Sequence, residues 1–182
     1  MPVADESRIH IRPLDLDDLA TMHRWLNGDF VARWWPGWPP REQVRAKYTL
    51  RISGEDPIPG FIIEHGGNAI GFIQCYRVTN NPHLRSLLDE PERAVGIDLF
   101  IGDRANAYCG LGPRIIRKFL REIVFAPPET NVCIIDPAEN NAAAIRAYEK
   151  TGFRHLATVH VAGELEPSSI MMIRREDLAR DE

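Results

Sequence analysis

Asp98 lies within Gly96-Ile97-Asp98-Leu99-Phe100-Ile101, a run that is otherwise apolar. Burying an unpaired charge is costly, so this carboxylate either pairs with an arginine, caps a neighbouring loop, or is kept for chemistry. The chemistry open to it is proton acceptance, because an amine must lose a proton before it can act as a nucleophile. A second constellation is Tyr108-Cys109-Gly110-Leu111-Gly112-Pro113. Two glycines let a backbone come close to a ligand, and free N–H groups at a helix start favour anions. Pro113 suits a first helical turn, where its missing N–H is not needed. The alternative is a glycine turn that only caps an ordinary helix. No Gly-Lys-Ser/Thr follows and no third glycine has the dinucleotide spacing, so neither of those phosphate motifs is present.

Asn141 and Tyr148 are seven residues apart, which on a helix puts them on one face about 10 Å from each other. By composition alone Tyr148 reads as a half-buried aromatic packing on a sheet, and Asp136, before Pro137, as a strand-end turn residue. The six histidines show no HExxH or clustered spacing, so no metal site is expected. Cys75, Cys109 and Cys133 are scattered without CxxC spacing, which argues against a disulfide framework and fits a reducing cytoplasm. Cys109 has no His or acidic neighbour in sequence and reads as incidental.

The elements that must carry these residues follow from periodicity. Residues 8–12 alternate as a first strand. A helix is predicted over 16–27, with Asp15 as N-cap and Gly28 as stop, and another over 41–52. Between them, Trp34, Trp35 and Trp38 sit among prolines in what should be an ordered loop. Strands at 61–63 and 69–73 flank the Gly66-Gly67-Asn68 hairpin signal. A polar excursion over 80–93 precedes a central strand at 94–101. From Leu111 the period turns helical, with Leu111, Ile115, Phe119 and Ile123 on one stripe bordered by Ile116, Leu120 and Val124. A buried strand at 132–135, a helix at 141–150 closed by Gly152, and strands at 154–161 and 168–173 complete the chain. Strands alternating with helices give an α+β (mixed α/β) domain.

The strand, the GxG turn with its helix, the short strand and then Asn141-Ala142-Ala143-Ala144-Ile145-Arg146-Ala147-Tyr148-Glu149-Lys150-Thr151-Gly152-Phe153 together resemble the GNAT superfamily of acyl-CoA N-acyltransferases. The resemblance implies a mixed, mostly antiparallel sheet flanked by helices and splayed between two central strands. It implies acetyl-CoA as co-substrate, with its pyrophosphate on the backbone at Gly110, Leu111 and Gly112. Leu99, Phe100 and Ile101 would line the donor, with N–H groups near Leu99 polarising the acetyl carbonyl. Asn141 would hold the pantetheine arm, and Tyr148 would protonate the departing thiolate. One departure from the pattern is Ala107, where the family usually carries Arg or Gln, so that side-chain contact is absent.

Within the superfamily the chain is similar to the aminoglycoside 6'-N-acetyltransferases at Trp25-Leu26-Asn27, Arg33-Trp34-Trp35, Gly96-Ile97-Asp98, Asp136-Pro137 and Ala144–Lys150. That likeness implies that Asp98 and Asp136 face one cleft and contact substrate amines, with Asp98 also the base. It implies that Trp34 and Trp35 wall a sugar site; for both, core packing under the loop is the alternative. Glu164 or Glu166 of the late hairpin would add an acidic contact, and the 80–93 excursion is either a substrate-side flap or a solvated surface loop.

A single domain over residues 1–182 is expected, as a monomer or homodimer. The formal net charge of −4 gives no footprint for nucleic acid. The first residues lack the basic and apolar segments of a signal peptide, and no stretch approaches the about 20 apolar residues that span a bilayer. The expected partner is therefore a small polycationic substrate in the cytoplasm, with no nucleic acid and no membrane. Two rivals stand beside it. One is a GNAT acyltransferase for a hydroxylysine siderophore arm or a protein amine, since Trp-Leu-Asn and Trp-Trp also look like siderophore acyltransferases. The other is a non-catalytic acyl-CoA-binding module, which would need neither Asp98 nor Tyr148.

Overall fold

The computed structural model describes residues 8–35, 37–160 and 166–178. In chain order the regular elements are β1 (Ile9–Pro13), α1 (Leu19–Leu26), α2 (Asp29–Ala32), α3 (Arg41–Ser53), β2 (Gly60–His65) and β3 (Asn68–Arg77). They continue with α4 (Pro82–Arg85), β4 (Ala94–Ile101), α5 (Leu111–Phe119), β5 (Val132–Ile135), α6 (Ala142–Glu149), β6 (Arg154–Val159), β7 (Ser168–Arg174) and α7 (Arg175–Leu178). The strand order is β1-β2-β3-β4-β5-β7-β6, a mixed and mostly antiparallel sheet flanked by helices, as expected. Two compact units share it: residues 1–75 with 99–111, and residues 76–98 with 112–182.

In the first unit β1, β2 and β3 pair antiparallel in sequence order. Gly66 and Gly67 turn the hairpin with φ of 60° and 81°, a region that glycine enters at no steric cost. The predicted first helix begins later than its period suggests. Asp15 and Asp18 close a capping box around a 3-10 turn at Leu16–Asp18, and α1 starts only at Leu19. Asp18 has a second task in that turn, because its carboxylate also accepts from Arg12. The core of this unit gathers Met22, Trp25 and Leu26 of α1, Val44 and Tyr48 of α3, and Ile62, Phe72 and Phe100 of the strands. Backbones approach closely where β4 ends: a Cβ on Gly71 would stand 2.4 Å from the Phe100 carbonyl oxygen. The Gly102 N–H donates to the Ile70 carbonyl at 2.8 Å.

In the second unit β4 pairs parallel with β5, β5 antiparallel with β7, and β7 antiparallel with β6. Of the predicted α5 stripe, Leu111, Ile115 and Phe119 are buried together with the bordering Ile116, Leu120 and Val124, while Ile123 is only half-buried because it falls in a π turn that breaks the period. The helix ends in a π turn, Leu120–Val124, closed by the Phe125 N–H on the Leu120 carbonyl at 2.8 Å. The 80–93 excursion is not a bare solvated loop. Asn81 caps α4 by accepting from the His83 and Leu84 N–H groups at 3.1 and 3.2 Å. Leu84 then buries beside Val78, Ala94, Val132, Ile134 and Ile170, with Tyr76, Leu87 and Leu88 packed against that cluster.

Candidate active site

The β4–β5 pairing has three pairs: Ala94 with Val132, Val95 with Cys133, and Gly96 with Ile134. Side chains alternate along a strand, so Gly96 and Asp98 point to one face. Gly96 and Ile134 are register partners; Asp98 lies two residues further in β4, and Asp136 two residues further along the chain, immediately after β5. Beyond Ile135 the chain stays alongside β7 and the residue before it, through the Ser169 N–H on the Pro137 carbonyl at 2.8 Å and the Glu139 N–H on the Pro167 carbonyl at 2.8 Å.

Both aspartates are half-buried, and their field reaches two phenols. Tyr148 is 7% exposed. Burial first, then the charges of Asp98 and Asp136, pushes its ionisation well above that of an ordinary phenol. Tyr76 is shifted the same way by burial, then by Asp98, Asp136 and Cys133. Both phenols are therefore neutral throughout the physiological range and able to donate a proton or a hydrogen bond.

Tyr148 comes from α6, where its ring meets Phe153 at 6.0 Å between centroids. Asn141 is the N-cap of α6, so it precedes the helix that carries Tyr148 instead of lying within it. Its side-chain oxygen accepts from the Ala144 N–H at 3.2 Å. A polar residue that can close a helix start will compete for that position. The helix is tied back to α5 by the Arg117 guanidinium, which donates to the Lys150 carbonyl.

The glycine turn before α5 holds two left-handed residues, Tyr108 with φ 62° and Gly110 with φ 76°. Nothing lies within 4 Å of where a Gly110 Cβ would stand, and a Cβ on Gly112 would meet only the Ala147 methyl at 3.6 Å. The backbone of this turn is open to a ligand. Cys109 is exposed, with its thiol near the Ala105 and Ala107 carbonyls. Leu99 and Ile101 are half-buried and Phe100 is buried.

In the first unit, Trp35 packs edge-on against Phe100 at 5.3 Å and Phe72 at 6.4 Å, which commits its ring to the core of that unit. Trp34 is half-buried with the Arg33 guanidinium 4.8 Å over its ring. Glu166 is exposed just before β7, and Glu164 lies outside the described residues. Among the described residues, no three or more His, Cys, Asp or Glu side chains form a group that could hold a metal. Among the described residues, no helix is long and apolar enough to cross a membrane.

Tyr76 is the member that sequence reasoning missed. Its ring lies across Gly96, where a Cβ would come within 2.3 Å of Cζ and 2.7 Å of the hydroxyl oxygen. The available signal was Gly96 itself, since a glycine inside a strand marks a close approach.

Comparison with known proteins places this geometry. The family model described as an acetyltransferase (GNAT) domain matches residues 15–161. An aminoglycoside N(6')-acetyltransferase type 1 from Klebsiella pneumoniae is 28% identical over 154 residues, covering 83% of this chain and 76% of that protein. A crystal structure of the aminoglycoside acetyltransferase AAC(6')-Ib in complex with coenzyme A and kanamycin matches with a TM-score of 0.83 at 28% identity, covering 94% of this chain and 98% of that one. The spermidine N-acetyltransferase from Vibrio cholerae, solved with CoA and spermine, has a TM-score of 0.77 at 16% identity over 95% of this chain and 99% of that one, which speaks to the fold alone.

Proposed function

The chain belongs to the GNAT acetyltransferase family, and from that premise we propose that it transfers acetyl from acetyl-CoA to an amine of an aminoglycoside, the 6'-amine in particular. The observation that carries the acceptor is that Asp98 of β4 and Asp136 just after β5 each lie two residues beyond the Gly96–Ile134 register pair, and that the charges of both act on the same two phenols. Two carboxylates whose fields overlap suit a substrate with several ammonium groups, and relatives at 28% identity are named for that substrate class.

The donor fits the residues present. With φ 76° and open space around it, Gly110 lets a pyrophosphate approach the backbone, and the first N–H groups of α5 have no intrahelical acceptor to satisfy them. Ala107 offers no polar side chain there, so the backbone carries this contact. Asn141, with its oxygen committed to the α6 cap, has its amide N–H groups to offer the pantetheine arm.

In the reaction, Asp98 takes a proton from the acceptor ammonium, and the freed amine attacks the thioester carbonyl. N–H groups near Leu99 stabilise the oxygen as charge develops. As the C–N bond forms and the C–S bond breaks, the thiolate takes the Tyr148 proton and the second amine proton passes to the tyrosinate, which leaves an amide and free CoA, and Asp98 releases the first proton to solvent. Asp136 holds a second ammonium. Glu166, just before β7, adds negative charge for the acceptor. The scattered cysteines suit a reducing cytoplasm.

A CoA-release assay with kanamycin, tobramycin, a hydroxylysine compound and a peptide amine tests this reading. Turnover is expected with the two aminoglycosides. Activity confined to the last two acceptors overturns it.

A further inference from the structure

We propose that Tyr76 is a third acceptor-binding residue, whose hydroxyl hydrogen-bonds an ammonium or hydroxyl group of the polycationic acceptor beside Asp98 and Asp136. The proposal rests on the acetyltransferase reading above and adds a group to its acceptor site.

Three observations within the second unit carry it. First, the Tyr76 ring crosses the sheet face at Gly96, the residue two before Asp98 and the register partner of Ile134. The face it crosses is the one that carries Asp98, and the charges of both Asp98 and Asp136 act on its phenol. Second, the ring is fixed from behind. It packs on the cluster of Val78, Leu84, Ala94 and Ile134, with Leu87 and Leu88 beside it, so the hydroxyl is aimed by packing and not by a flexible stem. Third, Gly96 has no side chain to stand in the way: a Cβ there would sit 2.7 Å from the hydroxyl oxygen. The glycine is thus explained by the tyrosine, and the pair would be an odd investment if the ring served only as filler, because an apolar residue could pack over a larger neighbour.

Distances suit a shared ligand. Residues i and i+2 of a strand are about 6.6 Å apart along its axis. One tetrahedral ammonium spans about 4.6 Å between two acceptors, and the Asp98 side chain can lean along the strand to meet that spacing. A phenol at the level of Gly96 and a carboxylate at Asp98 can therefore hold one amine between them. Tyr76 is also suited chemically, since burial and the two nearby carboxylates keep it protonated. A neutral phenol both accepts from an ammonium and donates to a carboxylate or a sugar hydroxyl.

The test is Tyr76→Phe, which keeps the ring and removes only the hydroxyl. Binding of kanamycin, tobramycin and CoA to the full chain is measured by titration calorimetry, with a thermal melt to establish that the variant is folded. Aminoglycoside affinity is expected to fall about tenfold, the loss of one hydrogen bond to a charged group, while CoA affinity stays as in the unaltered chain. Acceptor KM should rise by the same factor with kcat nearly constant. A folded variant that binds both aminoglycosides as tightly as the unaltered chain overturns the assignment alone. So does a parallel loss for CoA, which would mark a general structural effect. An unaltered chain that binds CoA but neither aminoglycoside overturns the parent reading, and the Tyr76 assignment with it.

Discussion

Tyr148→Phe separates proton donation from binding, and its magnitude can be worked from the structure. Tyr148 is 7% exposed, and burial, then Asp98 and Asp136, raises its ionisation above that of an ordinary phenol. An ordinary phenol ionises near pH 10 and a thiol near 8.5, so handing its proton to a departing thiolate is uphill by about 2 kcal/mol before any burial. The structure adds to that deficit. A polycationic acceptor seated on Asp98 and Asp136 would offset the two electrostatic causes and leave burial alone. General acid catalysis is worth about 100- to 10,000-fold. An uphill transfer belongs at the low end, so the expected loss of kcat is about 100-fold. Phe at this position keeps the ring contact with Phe153, which stands at 6.0 Å, and CoA affinity should persist. Steady-state kinetics with saturating acceptor, together with CoA titration calorimetry, would measure both quantities. A kcat within about threefold of the unaltered chain, with a raised KM for acetyl-CoA, would refute the reasoning and make Tyr148 a binding residue.

Three further outcomes follow from the geometry. Asp98→Asn should lower turnover at neutral pH by at least about 100-fold, if it removes the base; full turnover in that variant removes the base role from Asp98. Gly110→Ala meets no atom within 4 Å but must hold φ 76°, which costs a side-chain-bearing residue about 1–2 kcal/mol. The KM for acetyl-CoA should therefore rise with little change in acceptor KM, and a change confined to the acceptor would count against the turn as the donor site. Alkaline pH should destabilise the fold through Tyr76 and Tyr148. Their ionisation is raised in the folded chain, so the stability they contribute is fully present below the unfolded phenol value near 10 and is lost as pH rises beyond it. Thermal melts at pH 9 and 11 should show the fall, and the Tyr76→Phe, Tyr148→Phe double variant should flatten it. An unchanged fall in the double variant would assign it to other groups.

Much of the helical patterning was legible before any tertiary structure. The α5 stripe is a local period, and Leu111, Ile115 and Phe119 bury as spaced, while Ile123 falls in the π turn and is only half-buried. The glycine turn and the motif from Asn141 to Phe153 are local too, since turns and helix starts are decided within a few residues. Asp98 stood out because a carboxylate in an apolar strand violates a local rule. Helix starts were less legible. The capping box of Asp15 and Asp18 delayed α1, and Asn141 became a cap instead of a helical residue, because short polar side chains compete for backbone N–H groups.

What only the tertiary structure decided is which of these residues meet. The charges of Asp98 and Asp136 act on the same two phenols, and what brings the ends of β4 and β5 together is the parallel pairing of Gly96 with Ile134; register between strands distant in sequence is set by the whole sheet. A slip of one residue would change which residues stand together at that end. Trp35 goes to the core of its unit by the same non-local logic, since Phe72 and Phe100 await it there. Tyr76 was invisible for a related reason. Its chemistry depends on a glycine 20 positions away that lets its ring cross the strand, and no periodicity in one sequence reports such a contact.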